Sequence, residues 1–305
     1  MGDEERVRRA WHSLEALAVG DGFGECFFSE PSRHRRWLSH RELPPGPWRV
    51  TDDTVMALSV LETLIAVGHV DPDALAKRFA DRYRLEPQRG YGRMAHEILR
   101  RIGRGERWQE VSASVFDGMG SMGNGAAMRV APLGAFFCDD YARVVQEAQT
   151  SAVVTHCHPE GQAGAVAVAM GAAWVGRGEK HAPDLFAAVL EHTPRGATWD
   201  GIFRAAQLGL DESIEAAVAA VGNGSRVLAE DTVPFTLWCV ARHLGDFEAA
   251  MWTTVAGRGD RDTTCAIVAG ILGADPACEI PASWLEACPE AREVGQEPEA
   301  QESLD

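Results

Sequence analysis

Two short stretches place paired carboxylates at the start of an apolar segment. Thr51-Asp52-Asp53-Thr54 directly precedes the run beginning at Val55, and Gly259-Asp260-Arg261-Asp262-Thr263-Thr264 precedes CAIVAGILGA. Aspartate and threonine are good helix N-caps, and the helix dipole favours carboxylates in the first turn. One cap needs only one such residue, however, and adjacent carboxylates repel. Two helix starts that each bring two carboxylates and a threonine read as converging on hard cations. Oxygen-only donors suit Mg2+, Mn2+ or Ca2+ rather than Zn2+. The competing reading is a pair of unrelated solvated caps.

Two further stretches carry weaker signals. Gly118-Met119-Gly120-Ser121-Met122-Gly123-Asn124-Gly125 has the glycines that let backbone N–H groups approach a phosphate, although it is neither a Walker A loop nor a dinucleotide fingerprint. Alone it reads as a flexible loop. Arg129, just beyond it, fits either a phosphate or a structural ion pair. Thr155-His156-Cys157-His158-Pro159-Glu160 stands before a Gly/Ala-rich segment and reads either as a polar helix cap or as a histidine touching substrate. Its His-x-His lacks the further ligands of a zinc site.

The elements that must position these residues are helices. Apolar residues recur at spacings of three and four over 6–19, and 54–67 is apolar nearly all round, which predicts a central helix. Helices are also predicted over 73–83, 93–102, 161–175, 213–221, 234–243 and 264–273. Gly and Pro punctuate at 42–48, 118–125 and 257–260. No strand ladder and no repeat emerges, so the expectation is a compact single-domain all-α orthogonal bundle over 1–288. From Pro289 the chain is acidic and poor in apolar residues, and 289–305 reads as a mobile tail.

Composition narrows the function. The 305 residues carry 29 Lys+Arg against 45 Asp+Glu, a formal net charge of −16. Such a surface disfavours a general grip on nucleic acid or on an anionic membrane. No apolar run reaches the roughly 18 residues a membrane helix needs, and the N-terminus lacks the pattern of a signal peptide. Seven scattered cysteines, none in a CxxC pair, suit reduced thiols in a cytoplasmic protein. A monomer is expected.

In chain order these pieces resemble the ADP-ribosylglycohydrolase family, which includes dinitrogenase-reductase-activating glycohydrolases. The likeness rests on Gly20-Asp21-Gly22-Phe23-Gly24, Thr51-Asp52-Asp53-Thr54, Arg89-Gly90-Tyr91-Gly92 and Gly123-Asn124-Gly125-Ala126-Ala127-Met128-Arg129. It continues through Thr155-His156, Thr232-Val233-Pro234-Phe235 and Gly259 to Thr263. The resemblance implies an all-α fold with a binuclear Mg2+ or Mn2+ centre between helix N-termini. Thr51, Asp52 and Asp53 would be ligands from one helix start, and Asp260, Asp262 and Thr263 from the other. Gly120, Ser121, Met122, Gly123 and Asn124 would cradle the ADP-ribose diphosphate, with His156 or His158 beside the substrate.

Three positions depart from the family pattern. Arg261 stands where the second acidic motif usually has Thr. Phe28 occupies the place of a loop Glu common in the family, with Glu25 and Glu30 nearby. Met122 sits where some relatives carry an aromatic. The expected activity is metal-dependent hydrolysis of the bond between ADP-ribose and a protein side chain or small acceptor. Asp53 or Asp262 would activate water, because each belongs to a motif aimed at the cations. The alternatives are a hydrolase of another nucleotide or sugar-phosphate conjugate and a non-catalytic ADP-ribose sensor. Arg261, which cannot ligate a cation, is expected to face away from the metals and pair with an acidic neighbour.

Overall fold

The structure, a computed structural model, describes residues 1–29 and 31–295. Helices make up its regular structure, and no strand occurs among the described residues. The only pairing of extended backbone there is one bridge between Gly123 and Leu228. Each predicted helix is present. The first is longer than its apolar periodicity suggests and runs Asp3–Glu25.

The tightest packing joins that first helix to the helix Arg261–Leu272. Glycine makes it possible: a Cβ on Gly24 would stand 2.3 Å from the Arg261 carbonyl oxygen, and one on Gly20 2.4 Å from that of Cys265. The two backbones therefore touch, and Asp21 lies between the two glycines at the start of the Arg261 helix. The ring of Phe23 packs against Phe27, Trp48, Trp252 and Trp284 at centroid distances of 5.3, 5.5, 5.1 and 4.5 Å. This aromatic cluster anchors the end of the first helix. The helix Pro159–Val175, packed against Tyr141–Val153, Ala131–Phe136 and Arg261–Leu272, is buried along nearly its whole length, as its small apolar residues require.

Two boundaries differ from the sequence reading. The helix predicted from Pro234 begins one turn earlier and runs Ala229–Arg242, with Pro234 inside it. The proline ring lies against Gly201, where a Cβ would come within 2.6 Å of Pro234 Cγ. Second, Pro289–Gly295, read as the start of the tail, is a helix. Ala291 in it is buried, and Glu290 pairs with Arg89 at 2.6 Å. Residues 296–305 lie outside the described residues. No described helix is long and apolar enough to cross a membrane, and all seven cysteines are unpaired.

Candidate active site

The helix Asp52–Val67 starts at the first acidic motif. Thr51 is its N-cap, accepting from the Asp53 N–H at 3.3 Å. Asp52 and Asp53 are left over for other work. The helix Arg261–Leu272 starts at the second motif with Asp260 in the N-cap position, but that carboxylate makes no capping bond. It accepts instead from the Asn124 side chain at 2.7 Å. Capping therefore explains neither carboxylate pair.

A fifth carboxylate, Asp21, joins them. Fully buried, it accepts from Thr51 N–H and Thr51 Oγ1 at 2.8 Å each, from Thr54 N–H at 3.2 Å and from Thr54 Oγ1 at 2.5 Å. Asp21 thus clamps the Asp52 helix start onto the first helix. The sequence reading did not place it among the site residues. The available signal was a charged residue between glycines inside an otherwise apolar helical run, where an unpartnered carboxylate would be costly.

Electrostatics show what the cluster lacks. Burial and then Asp21 push Asp52 up to about 8. Burial, Asp21 and Asp262 push Asp53 well above the usual carboxylate range, and burial and Asp260 do the same to Asp262. Asp21 rises to about 6 through burial, with its four donors opposing the shift. Asp260 rises through burial, opposed first by the Asn124 amide. Among the described residues no lysine or arginine forms an ion pair with any of the five. Buried Asp53 Oδ1 and Asp262 Oδ1 have no hydrogen-bond partner. Unneutralised carboxylates with orphaned oxygens fit a hard cation in donor chemistry. The side chains do not stand in a closed ligand set, however, since no group of three His, Cys, Asp or Glu is gathered to hold an ion among the described residues.

Four of the five carboxylates line a cavity of about 660 Å³. Asp52, Asp53, Asp260, Asp262 and Thr263 line one part, Gly120 to Asn124 and His156 line another part, and Met56, Met94, Ile98 and Leu99 supply apolar wall. Thr51 and His158 do not line it. The Thr51 hydroxyl is taken up by Asp21, and His158 caps its helix by accepting from the Glu160 N–H at 3.0 Å. His156 is the histidine that reaches the cavity, with its Nδ1 2.7 Å from Thr155 Oγ1. Asn124 turns its amide toward Asp260 and Thr232, so it ties the glycine loop to the acidic cluster. The carbonyl of Val227 accepts from Asn124 N–H at 3.2 Å. Val227 itself has φ 57, a strained value for a β-branched residue, of the kind that concentrates at functional sites.

Arg261 does not line the cavity, and among the described residues it meets no acid. Its Nη1 donates to the Phe27 carbonyl at 2.8 Å, its Nε to that of Val255 at 3.3 Å, and its guanidinium lies 5.7 Å from the Phe27 ring centre. The expectation of an acidic partner is corrected for the described residues: the turn after the first helix offers a carbonyl and an aromatic face, and the helix Phe247–Ala256 a second carbonyl. Arg261→Thr is therefore expected to cost about 2 kcal/mol of stability and to leave the Michaelis constant unchanged. Urea melts beside steady-state kinetics check this, and a several-fold rise in the Michaelis constant at unchanged stability would contradict it. Glu25 is half-buried and shifted up by burial and Asp21, but it does not line the cavity. Phe28 is 50% exposed, and Glu30 lies outside the described residues.

Comparison with known proteins agrees with this arrangement. The profile of the ADP-ribosylglycohydrolase family matches residues 2–303. The chain is similar to the Homo sapiens ADP-ribosylhydrolase ARH3, 26% identical over 321 residues, covering 90% of this chain and 87% of that protein. It is 28% identical to the Serratia proteamaculans ADP-ribosylarginine hydrolase Tri1 over 168 residues, covering 53% of this chain and 45% of that one. A solved structure described as an ADP-ribosylglycohydrolase-related protein complex superposes with a TM-score of 0.69 at 26% identity, over 96% of both chains. With a matching profile along nearly its whole length, a matching helical fold and the two acidic motifs brought to one cavity, the chain belongs to the ADP-ribosylglycohydrolase family of hydrolases.

Proposed function

We propose that this protein hydrolyses the bond between the distal ribose of ADP-ribose and an attached side chain or small acceptor, with two Mg2+ or Mn2+ ions held by the acidic cluster. The observation that carries the reading is the pair of orphaned oxygens, Asp53 Oδ1 and Asp262 Oδ1, from helix starts far apart in the chain. Asp52, Asp53, Asp260, Asp262 and Thr263 would hold the ions. When bound, the ions supply positive charge for the ribose hydroxyls and for the charge that develops in the reaction. Asp53 or Asp262 orients a water and accepts its proton, since each belongs to a helix start that faces the cavity. Thr51 acts through Asp21 to position the start of the Asp52 helix rather than as a ligand. The glycine loop and His156 face the diphosphate, and Met56, Met94, Ile98 and Leu99 give the ligand an apolar wall.

Turnover of ADP-ribosyl-arginine, ADP-ribosyl-serine and small ADP-ribose conjugates, with Mg2+, with Mn2+ and with chelator, tests this reading. Release of free ADP-ribose only with metal is expected. Full turnover in chelator would remove the metal from the reaction, and no turnover of any conjugate would remove the activity.

Gly123 tests the loop. A Cβ there would stand 3.2 Å from both His156 Nε2 and Ser121 Oγ, so a valine would fill the approach to the loop while the helical core stays intact. Gly123→Val is expected to weaken ADP-ribose binding at least about tenfold, roughly 1.4 kcal/mol. Calorimetry on the folded variant decides, and an unchanged affinity would return the stretch to an ordinary loop.

A further inference from the structure

Arg129 is fully buried, yet no carboxylate among the described residues pairs with it. Its Nη1 donates to Thr155 Oγ1 at 3.0 Å and its Nη2 to the Ser151 carbonyl at 2.7 Å. The guanidinium lies 4.5 Å from the ring centre of Phe79, and Nε has no partner. Burial pushes Arg129 down to about 9, so it still carries its charge at neutral pH. A buried cation without a counterion is costly, and this one lines the same cavity as the acidic cluster.

The hydrogen-bond directions follow from donor chemistry. A guanidinium only donates, so Thr155 Oγ1 accepts from Arg129. The threonine has one hydroxyl proton, and its other neighbour is His156 Nδ1 at 2.7 Å. Thr155 Oγ1 donates to no other group among the described residues, so its proton goes to Nδ1, and Nδ1 accepts. Burial and the charge of Arg129 hold the imidazole down to about 3, so the ring is neutral. A neutral ring whose Nδ1 accepts carries its proton on Nε2. That nitrogen faces the glycine loop, 3.2 Å from where a Cβ on Gly123 and 3.3 Å from where one on Gly125 would stand.

We propose that Arg129 is a positioning residue that acts through Thr155 to fix His156 as an Nε2–H donor, aimed across the glycine loop at an anionic oxygen of the ligand. The identity of that ligand, a diphosphate, rests on the function proposed above. The relay itself does not. The arrangement places a neutral donor beside the loop and keeps the uncompensated positive charge one residue behind it. An anionic ligand then brings the countercharge that the fold leaves out.

Thr155 separates the relay from mere structure. Thr155→Val removes the hydroxyl at nearly constant shape, whereas Thr155→Ser retains it. Nitrogen-15 spectra of the full chain with labelled histidine, with His156 assigned by its loss in His156→Asn, read the tautomer directly. Calorimetry with ADP-ribose reads binding. The expected result is an Nε2-protonated, neutral His156 at pH 7 in the parent and in Thr155→Ser. Thr155→Val should show a mixture of tautomers or the Nδ1-protonated form, with ADP-ribose affinity at least about tenfold lower. Arg129→Lys, which keeps the charge but not the fork geometry, should give an intermediate spectrum. An Nδ1-protonated His156 in the parent, or a valine variant with the parent's tautomer and affinity, overturns the relay. A parent that does not bind ADP-ribose overturns the diphosphate assignment, while the tautomer still decides the relay.

Discussion

Asp262→Asn is expected to lower kcat by about a thousandfold or more, the scale set by losing a positioned base, while stabilising rather than weakening the metal-free fold. The reason is repulsion. Five carboxylates share the starts of two helices and the last turns of a third, with no paired cation among the described residues to neutralise them. Replacing one by a neutral amide of the same shape relieves that repulsion. With chelator the variant should melt at or above the parent, and with saturating Mg2+ or Mn2+ it should melt below. The crossing is diagnostic, because simple damage to the fold would lower both curves.

The same cluster dictates a pH dependence. Asp52 rises from an ordinary value of 3.8 to about 8 on folding, and Asp53 and Asp262 also rise well above the usual range. Between those limits the folded state binds more protons than the unfolded one, so stability falls as pH increases through the window. The metal-free parent should therefore melt at least about 2 °C higher at pH 5.5 than at pH 8, and a divalent cation should flatten the difference by holding the carboxylates ionised. Scanning calorimetry at both pH values, with and without metal, measures it. A parent with no metal-dependent melting shift at saturating ion would count against the centre altogether.

Asp21→Ala should be the most damaging single change outside the cavity floor, costing about 3 kcal/mol or more. It leaves two backbone N–H groups and two hydroxyls without their acceptor in a dry interior, and each such loss costs roughly 1–3 kcal/mol. Asp21→Asn should rescue the fold. Its amide oxygen can take the place of Oδ2, which accepts from Thr51 N–H, Thr54 N–H and Thr54 Oγ1. Its amide nitrogen can donate to Thr51 Oγ1, whose own proton then turns to Asp53 Oδ2, 3.1 Å away. The asparagine also removes a charge that raises Asp52, Asp53 and Asp262, so the pH dependence should shrink. Urea unfolding of the two variants separates these effects. Equal destabilisation by Ala and Asn would mean that the charge, not the hydrogen bonding, makes Asp21 necessary.

The sequence by itself determined the helices with strong apolar periodicity, the two acidic helix starts, and the kind of ligand oxygens they bring. These are short-range matters: cap chemistry, the helix dipole and 3.6-residue spacing act within a turn or two. Several helices with less regular stripes went unread, among them Tyr141–Val153 and Phe247–Ala256, although Asp140 and Asp246 stand there as N-caps. Side-chain partners depended on the tertiary structure. The sequence offers both His156, in the Thr-His motif, and His158, and of the two only His156 lines the cavity, because His158 is spent on the cap of its own helix. Asn124, in the glycine stretch that lines the cavity, also holds Asp260, 136 residues away. Among the described residues Arg261 finds carbonyls of Phe27 and Val255 rather than an acid. Asp21 becomes the clamp of the site only because Gly20 and Gly24 let the first helix lie directly against the Arg261 helix. A side chain's partner is set by which distant backbones can come into contact, and that depends on volume and packing across the whole core rather than on the residues beside it in the chain.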